Sequence, residues 1–397
     1  MKQEKLFLLI VLAFYCYSPL KAQDEIENYQ IGRGSQAIFQ AMQENFSSLR
    51  KNKILKEDME AFERHLEKNI GEDFFVRCHV IDSNITYKIV VDGRNSDYDH
   101  KRFNDFKGFL KSTLEHHPVK GNLDFFLQFG TDNPTLDWWG KNVNKLLELL
   151  DKVPLLLYDR SDLNPVRQKT ITIPDPYIYD PWYESTRNEI LKKRKKIPYE
   201  SRTGIIKWRG APTGKPVNFE DLNKSPRLCL VNLSIHHPDK IDAKLTSYDH
   251  FKYWQTADKF KEYFQTQCGD PVSSLPEHVL YLQNKYYISI DGWIAAWGRV
   301  PHILNSGSVL LLQHRHSQFF YPGMKPWVHY VPLKEDISDL LEKYDWLQKN
   351  PDSARKIAQN GQIFADECLS PAAMRGFFGA VLQELSLHYL YDVKDNL

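Results

Sequence analysis
Arginines and one aspartate that follow strand-like runs are the residues best suited to chemistry in this sequence. The stretch KWRGAPTG, Lys207 to Gly214, comes after the apolar GII and holds Arg209 beside Gly210 in a turn with Pro212 and Gly214. Backbone N–H groups and a guanidinium that converge after a strand make a site for an anion such as phosphate. The plain alternative is a turn punctuated by Gly and Pro, with Arg209 in a surface ion pair. In YYISIDGWIAAWGRVPHILNSGSVLLLQ, Tyr286 to Gln313, a strand runs into Asp291-Gly292, and a helix-like run follows with Ala295, Ala296 and Arg299. Small residues let backbone approach a ligand closely, and Arg299 is placed to clamp phosphate from the same side. The alternative there is alanine packed on a sheet with Arg299 in solvent. The turn GTDNP, after LDFFLQF, puts Asp132 just past a buried strand, as a carboxylate facing a cleft or as an Asx-turn residue. KPWVHY sets Lys325, Trp327 and His329 around a short strand, where core packing is the competing explanation.

Other chemistries find little support. Asp97 and Asp99 in SDYDH have the spacing of a metal-diphosphate motif, but their Gly- and Asn-rich surroundings read as a solvated turn. His116-His117 and His236-His237 are adjacent pairs that point apart on a helix or strand and do not share a metal. GxSxG, HExxH and GxGxxG are absent. Lys and Arg number 52 against 51 Asp and Glu, a net charge of +1 that gives no footprint for nucleic acid.

Residues 1–22 read as a cleaved signal peptide: Lys2 and Lys5 precede LFLLIVLAFYCY, too short to span a bilayer, with a cut after Ala22. No membrane span is expected after cleavage. Cys78, Cys229, Cys268 and Cys368 then remain, without CxxC spacing for zinc, and their pairing in an oxidising compartment is open. Sequons at Asn45, Asn84 and Asn232 and a terminal KDNL, close to KDEL, fit a secretory glycoprotein. The expected location is the lumen of the endoplasmic reticulum, with secretion as the alternative.

Alternating apolar runs and amphipathic stretches position these residues. FFVRCHVI, TYKIVV, LDFFLQF and VPLLLY read as strands separated by helices, and GIIKW, RLCLVNLS, KYYISI, SVLLLQ and VHYV begin a second such series. The pattern predicts two α/β halves with mostly parallel sheets, 23–190 and 191–397. The boundary falls between Tyr183 and Tyr199, where LKKRKK reads as a linker or helix end. Three helical stretches close the chain, two of them starting at Asn350-Pro351 and Ser370-Pro371. In parallel sheets ligands bind beyond the carboxyl ends of strands, where GTDNP, WRGAPTG and DGW all lie.

Taken together, WRGAPTG, IDGWIAAWGRVPHILNSGSVLLLQ and FFYPGMKPWVHYVPLKEDISDL resemble glycosyltransferase family 90, the family of capsule-associated and lipopolysaccharide-modifying transferases and protein O-glucosyltransferases. The likeness runs from about Tyr87 to Leu387 and is densest from Trp208 to Leu340. It implies a GT-B fold: two Rossmann-like domains facing a cleft, acceptor side first and nucleotide-sugar side second, with C-terminal helices. It also implies that Asp132, in Asp132-Asn133-Pro134, is the catalytic base. Arg209, Gly210, Arg227 and the segment Ile294, Ala295, Ala296, Trp297, Gly298 and Arg299 correspond to the donor site. Ala211 stands where the glucosyltransferases carry a donor-binding serine, whose hydrogen bond falls to Thr213 or is missing. Gln318 stands where a glutamate is usual. The implied activity is inverting transfer of a hexose or pentose, glucose or xylose foremost, from a UDP-sugar to a hydroxyl of a protein or glycan acceptor. UDP-sugar is then the co-substrate, arginines replace a metal ion, and no other cofactor is implied. The alternative is a GT-B module that binds sugar nucleotide or glycan without turnover.

Overall fold
The structure, a computed structural model, describes residues 32–71, 73–82, 84–93, 97–129, 142–161, 164–272 and 275–391. The segment 1–22, the terminal KDNL and Asp132 lie outside the described residues. One sheet contains β1 (Phe74–Ile81), β2 (Asn84–Asp92), β3 (Leu123–Gln128), β4 (Leu155–Leu157) and, after β5 (Arg160–Ser161), β6 (Ile171–Thr172). Its order is β2-β1-β3-β4-β6. The other contains β7 (Thr203–Gly210), β8 (Ile241–Leu245), β9 (Asn284–Ile290), β10 (Val309–Gln313) and, after β11 (His316–Ser317), β12 (Val331–Pro332). Its order is β12-β10-β9-β7-β8, and its pairings are parallel. The molecule is therefore of the α/β class, with a five-stranded sheet in each half of the chain.

The first sheet departs from the expected parallel pattern. β3, β4 and β6 are parallel, but β1 runs antiparallel to both β2 and β3. The reason is local: β1 ends at Ile81 and β2 begins at Asn84, a connection far too short for a parallel crossover. Asp82 takes a positive φ of 48° in that turn, a conformation that aspartate tolerates. RLCLVNLS also differs from its reading as a strand, because it lies in a helix, Pro226–His236. Pro226 at the first helical position pre-sets φ, and a short apolar run carries too little periodicity to separate strand from buried helix.

Helices cover both faces of the second sheet, and the alternation of β10 shows it. Leu310 and Leu312 belong to one apolar core, while Val309 and Leu311 belong to the other. The first of these cores continues under the first sheet and takes in the segment Met374 to Leu385. Helices used below are α1 (Lys56–Asn69), α2 (Asp97–His116), α3 (Pro176–Tyr179), α4 (Pro181–Arg194), α5 (Pro226–His236), α6 (Arg299–Ser306), α7 (Leu340–Lys349), α8 (Pro351–Cys368) and α9 (Pro371–Leu385). Pro371 opens α9 behind Ser370, whose hydroxyl accepts from the Ala373 N–H at 3.2 Å. The helix then returns to α2, where Phe109 stacks between Tyr179 and Phe378 at centroid distances of 4.4 and 5.2 Å. Each buried ring of this kind contributes roughly 1.5–3 kcal/mol of transfer free energy.

A two-stranded antiparallel ribbon joins the halves: Ser161 of β5 pairs with His316 of β11, and Arg160 with Ser317. Beneath it the buried Asp159 binds Arg167 and stands 3.2 Å from His316 Nδ1. Cys78, Cys229, Cys268 and Cys368 are free thiols. Among the described residues no helix is long and apolar enough to cross a membrane.

Candidate functional site
Parallel strands point all their carboxyl ends to one edge, so single residues from distant parts of the chain meet there. At that edge of the second sheet lies a cavity of about 980 Å³. The loop after β7 supplies Thr213 to Asn218, the start of α5 supplies Ser225 to Arg227, and the residue after β9 is Asp291. Arg315 follows β10, and Lys334 to Asp336 follow β12. Lys215, Lys224, Arg227, Arg315 and Lys334 make the wall rich in cations. Some of that charge is already matched: Lys224 pairs with Asp221 at 2.8 Å, and Arg315 with Glu335 at 3.4 Å. The exposed ring of Tyr253 stands at the same cavity.

Arg227 is the buried cation of the set. Its Nη1 donates to the Ala211 carbonyl at 3.0 Å and to the Thr213 hydroxyl. Its Nε and Nη2 donate to the Asp291 and Ile290 carbonyls at 3.2 and 2.9 Å. These partners are neutral oxygens. Burial, and next the charge of Arg299, pull the Arg227 guanidinium down to about 9, with the Asp291 carboxylate acting the other way. Arg299, at the first position of α6, donates from Nη2 to the Arg209 carbonyl at 2.9 Å, and its buried Nη1 has no hydrogen-bond partner among the described residues. Both guanidinium carbons sit by the ring of Trp208, Arg227 at 5.9 Å and Arg299 at 5.5 Å from its centroid. Two like charges held close with no carboxylate ion pair among the described residues are an arrangement completed by an anion.

The backbone makes room for this pair at two glycines. A Cβ on Gly292 would lie 2.3 Å from Thr213 Oγ1 and 2.9 Å from Arg227 Nη2. A Cβ on Gly210 would lie 2.6 Å from the Trp208 ring and 3.1 Å from Arg299 Nη2. Asp291 closes the floor: its Oδ2 accepts from the Arg315 and His316 N–H groups at 2.7 and 2.9 Å, while its buried Oδ1 has no hydrogen-bond partner among the described residues. Burial raises the Asp291 carboxyl above the ordinary range.

The residues expected at the site separate into groups. Arg227, Arg299, Gly210 and Ala211 converge on Trp208 and the Arg227 guanidinium. The Arg209 side chain goes elsewhere: it donates to the Trp208 and Asp242 carbonyls and pairs with the Asp242 carboxylate at 2.7 Å. Alternation along β7 explains this, since Trp208 faces the core and Arg209 the opposite face. Ile294 and Ala295 are buried, and the Ile294 carbonyl accepts from the Gly292 N–H at 3.1 Å. The Ala296 carbonyl accepts from the Arg299 N–H at 3.2 Å, opening α6 after Gly298. Trp297 faces away from the cavity toward the first half, where it meets Tyr177 at 5.5 Å and Arg102 at 5.2 Å. Asp132 lies outside the described residues, beyond Phe129 at the end of β3.

Gln318 has a partner that explains its type. Its Nε2 donates to the Asp175 carboxylate, which also caps α3 through the Tyr177 N–H at 2.8 Å. Burial pushes Asp175 up to about 8, against the pull of Arg102. A glutamate at 318 would set a second carboxylate against Asp175 in a dry contact between the halves, whereas an amide donates. Trp327 and His329 are core residues: Trp327 packs on Trp346 at 4.8 Å, and burial pushes His329 down to about 3. Asp97 and Asp99 stand in the first turn of α2, with Asp99 buried 4.0 Å from Arg102. Among the described residues no three His, Cys, Asp or Glu side chains are grouped to hold a metal. Asp291 is the Asp of the DGW turn read beyond a strand end, whereas Arg315, Lys334 and Tyr253 are site residues that the motifs do not single out; Arg315 and Lys334 carry the signal of position just after a strand.

Comparison with known proteins agrees with the motifs. Human Protein O-glucosyltransferase 3 is 34% identical over 163 residues, covering 41% of this chain and 30% of that protein. Rat Protein O-glucosyltransferase 1 is 27% identical over 208 residues, covering 52% of this chain and 48% of that protein. The chain thus spans about a third to a half of the length of these relatives. Among solved structures, that of Anabaena Alr3699/HepE in complex with UDP and glucose overlaps 62% of this chain and 67% of that one, at 11% identity and a TM-score of 0.41. A sequence model of glycosyl transferase family 90 matches residues 123–396, more than half of the chain and the whole of the cavity-forming sheet, so the chain belongs to glycosyl transferase family 90.

Proposed function
We propose that this chain transfers a sugar from a UDP-sugar to a hydroxyl of a protein or glycan acceptor, with inversion at the anomeric carbon. The observation that carries the proposal is the Arg227 and Arg299 pair on Trp208, a buried and a half-buried cation without a carboxylate salt bridge among the described residues, at the carboxyl edge of a parallel sheet. In this reading the pair and the start of α5 face the diphosphate, and the cavity takes the rest of the nucleotide. Arg209 contributes through its carbonyl, which aims Arg299. Glucose is the favoured sugar, from the names of the relatives, with xylose second. The halves 23–190 and 191–397 are proposed as acceptor side and donor side in a GT-B arrangement. Residues 1–22 are proposed to direct the chain to the endoplasmic reticulum lumen or outside the cell.

The chemistry follows from the charges. Asp132 takes the proton of the acceptor hydroxyl while the oxygen of that hydroxyl bonds to the anomeric carbon. The bond from that carbon to UDP breaks, and its electron pair leaves on a β-phosphate oxygen. Charge at the sugar is oxocarbenium-like in the transition state, and charge on the leaving diphosphate grows. The two arginines are already in place for that growth, so no reorganisation is needed as it occurs. The experiment is incubation with UDP-glucose, UDP-xylose and UDP-N-acetylglucosamine, reading UDP release. Release from one donor supports the proposal. Tight UDP binding by calorimetry with no release from any donor replaces it with the non-catalytic binding module.

A further inference from the structure
We infer that Arg102 is a positioning residue for this reaction, holding the end of β3 and the donor-side Trp297 at a fixed separation. The inference rests on the transferase reading above and adds a residue to it. Arg102 lies on α2, in the first half of the chain, and is 3% exposed. Its Nη1 donates to the Phe129 carbonyl at 3.0 Å, and its Nη2 to the Tyr98 hydroxyl at 2.8 Å. Phe129 is the last described residue of the β3 end, and Asp132 follows it by three positions in the sequence. The same guanidinium also meets the second half: the Trp297 ring lies 5.2 Å from its carbon, and the first-half Tyr177 ring, which packs on Trp297, lies 5.7 Å from it.

Trp297 has its own reason to need that support. It sits at φ 46°, in the left-handed region where a non-glycine residue costs on the order of 1 kcal/mol or more. Contacts with Arg102 and Tyr177 hold the indole in place and offset that cost. Two residues on, Arg299 belongs to the cation pair on Trp208. One planar fork therefore touches the strand end that leads to Asp132 and the turn that leads to Arg299. A lysine keeps the charge but offers neither the fork nor the flat face that rings stack on. Reaction geometry is sensitive to such spacing, since a misplacement of about 1 Å can cost on the order of 100-fold in rate.

The test uses the full-length protein and UDP-glucose, with water as the acceptor, and reads UDP release in Arg102→Met and Arg102→Lys. Arg102→Met should lower kcat about 100-fold, while the KM for UDP-glucose and the affinity for UDP stay within about twofold. Arg102→Lys should recover part of the loss, to about a tenth of wild type. If Arg102→Met does not fold, Arg102→Lys decides at unchanged melting temperature: a kcat reduced fivefold or more supports the inference, and a wild-type kcat overturns it. A loss of activity that only tracks the unfolded fraction, with normal turnover per folded molecule, also overturns it. Wild-type protein that releases no UDP removes the transferase reading itself, and this inference with it.

Discussion
Arg227 and Arg299 both approach one indole, Trp208, with guanidinium carbons 5.9 and 5.5 Å from its centroid, and among the described residues each guanidinium donates to neutral oxygens. The like charge of Arg299 is the second cause, after burial, of the lowered Arg227 pKa of about 9. An anion bound between them relieves that repulsion, which couples binding to both residues at once.

Arg299→Ala should therefore cost transition-state stabilisation of about 2–4 kcal/mol, read as kcat/KM for UDP release. Its effect and that of Arg227→Met should be less than additive in a double-mutant cycle, because the residues share one ligand. Activity within twofold of wild type in Arg299→Ala would make Arg299 a packing residue of Trp208.

Gly292→Ala tests the same site by shape. The added methyl would enter the space of Thr213 Oγ1 and Arg227 Nη2. UDP affinity should fall by about tenfold or more, roughly 1.4 kcal/mol, in a protein that still folds. Unchanged UDP affinity by calorimetry would mean that Arg227 lies outside the nucleotide site.

Much of the second sheet was legible because its strands are continuous apolar runs bounded by Gly, Asp or Pro, as in KYYISI and SVLLLQ. The β5–β11 ribbon was not, since strands of two residues carry no period. RLCLVNLS was misread for a related reason: buried helix and buried strand look alike over so few positions. At the site, Arg227 and Arg299 were visible through their motifs. Asp291, Arg315 and Lys334 come singly from the ends of different strands, so only strand order brings them together. The direction of Arg209 was readable from alternation in β7, where Trp208 takes the core side.

Asp175 gives a pH dependence of known sign. Its folded value of about 8 lies above the unfolded 3.8, so the folded state binds this proton more tightly. The contribution to stability is present below about pH 4 and is lost as pH rises to about 8. The melting temperature of wild type should fall relative to Asp175→Asn between pH 6 and pH 8.5, by several degrees. Parallel curves for the two proteins would show that Asp175 is ionised across this range and that its contact with Gln318 does not carry a proton.

Turnover of UDP-glucose by Asp132→Asn, measured beside UDP calorimetry and melting temperature, separates the chemistry from the binding. Asn keeps the size of Asp but does not accept a proton at neutral pH, and a general base contributes about 10²- to 10⁴-fold in rate. The expected result is loss of nearly all UDP release with UDP affinity within about threefold of wild type, because the arginine pair is untouched. A well-folded Asp132→Asn protein that releases UDP at the wild-type rate would contradict the assignment of the base and, with it, the inverting transfer derived from this site.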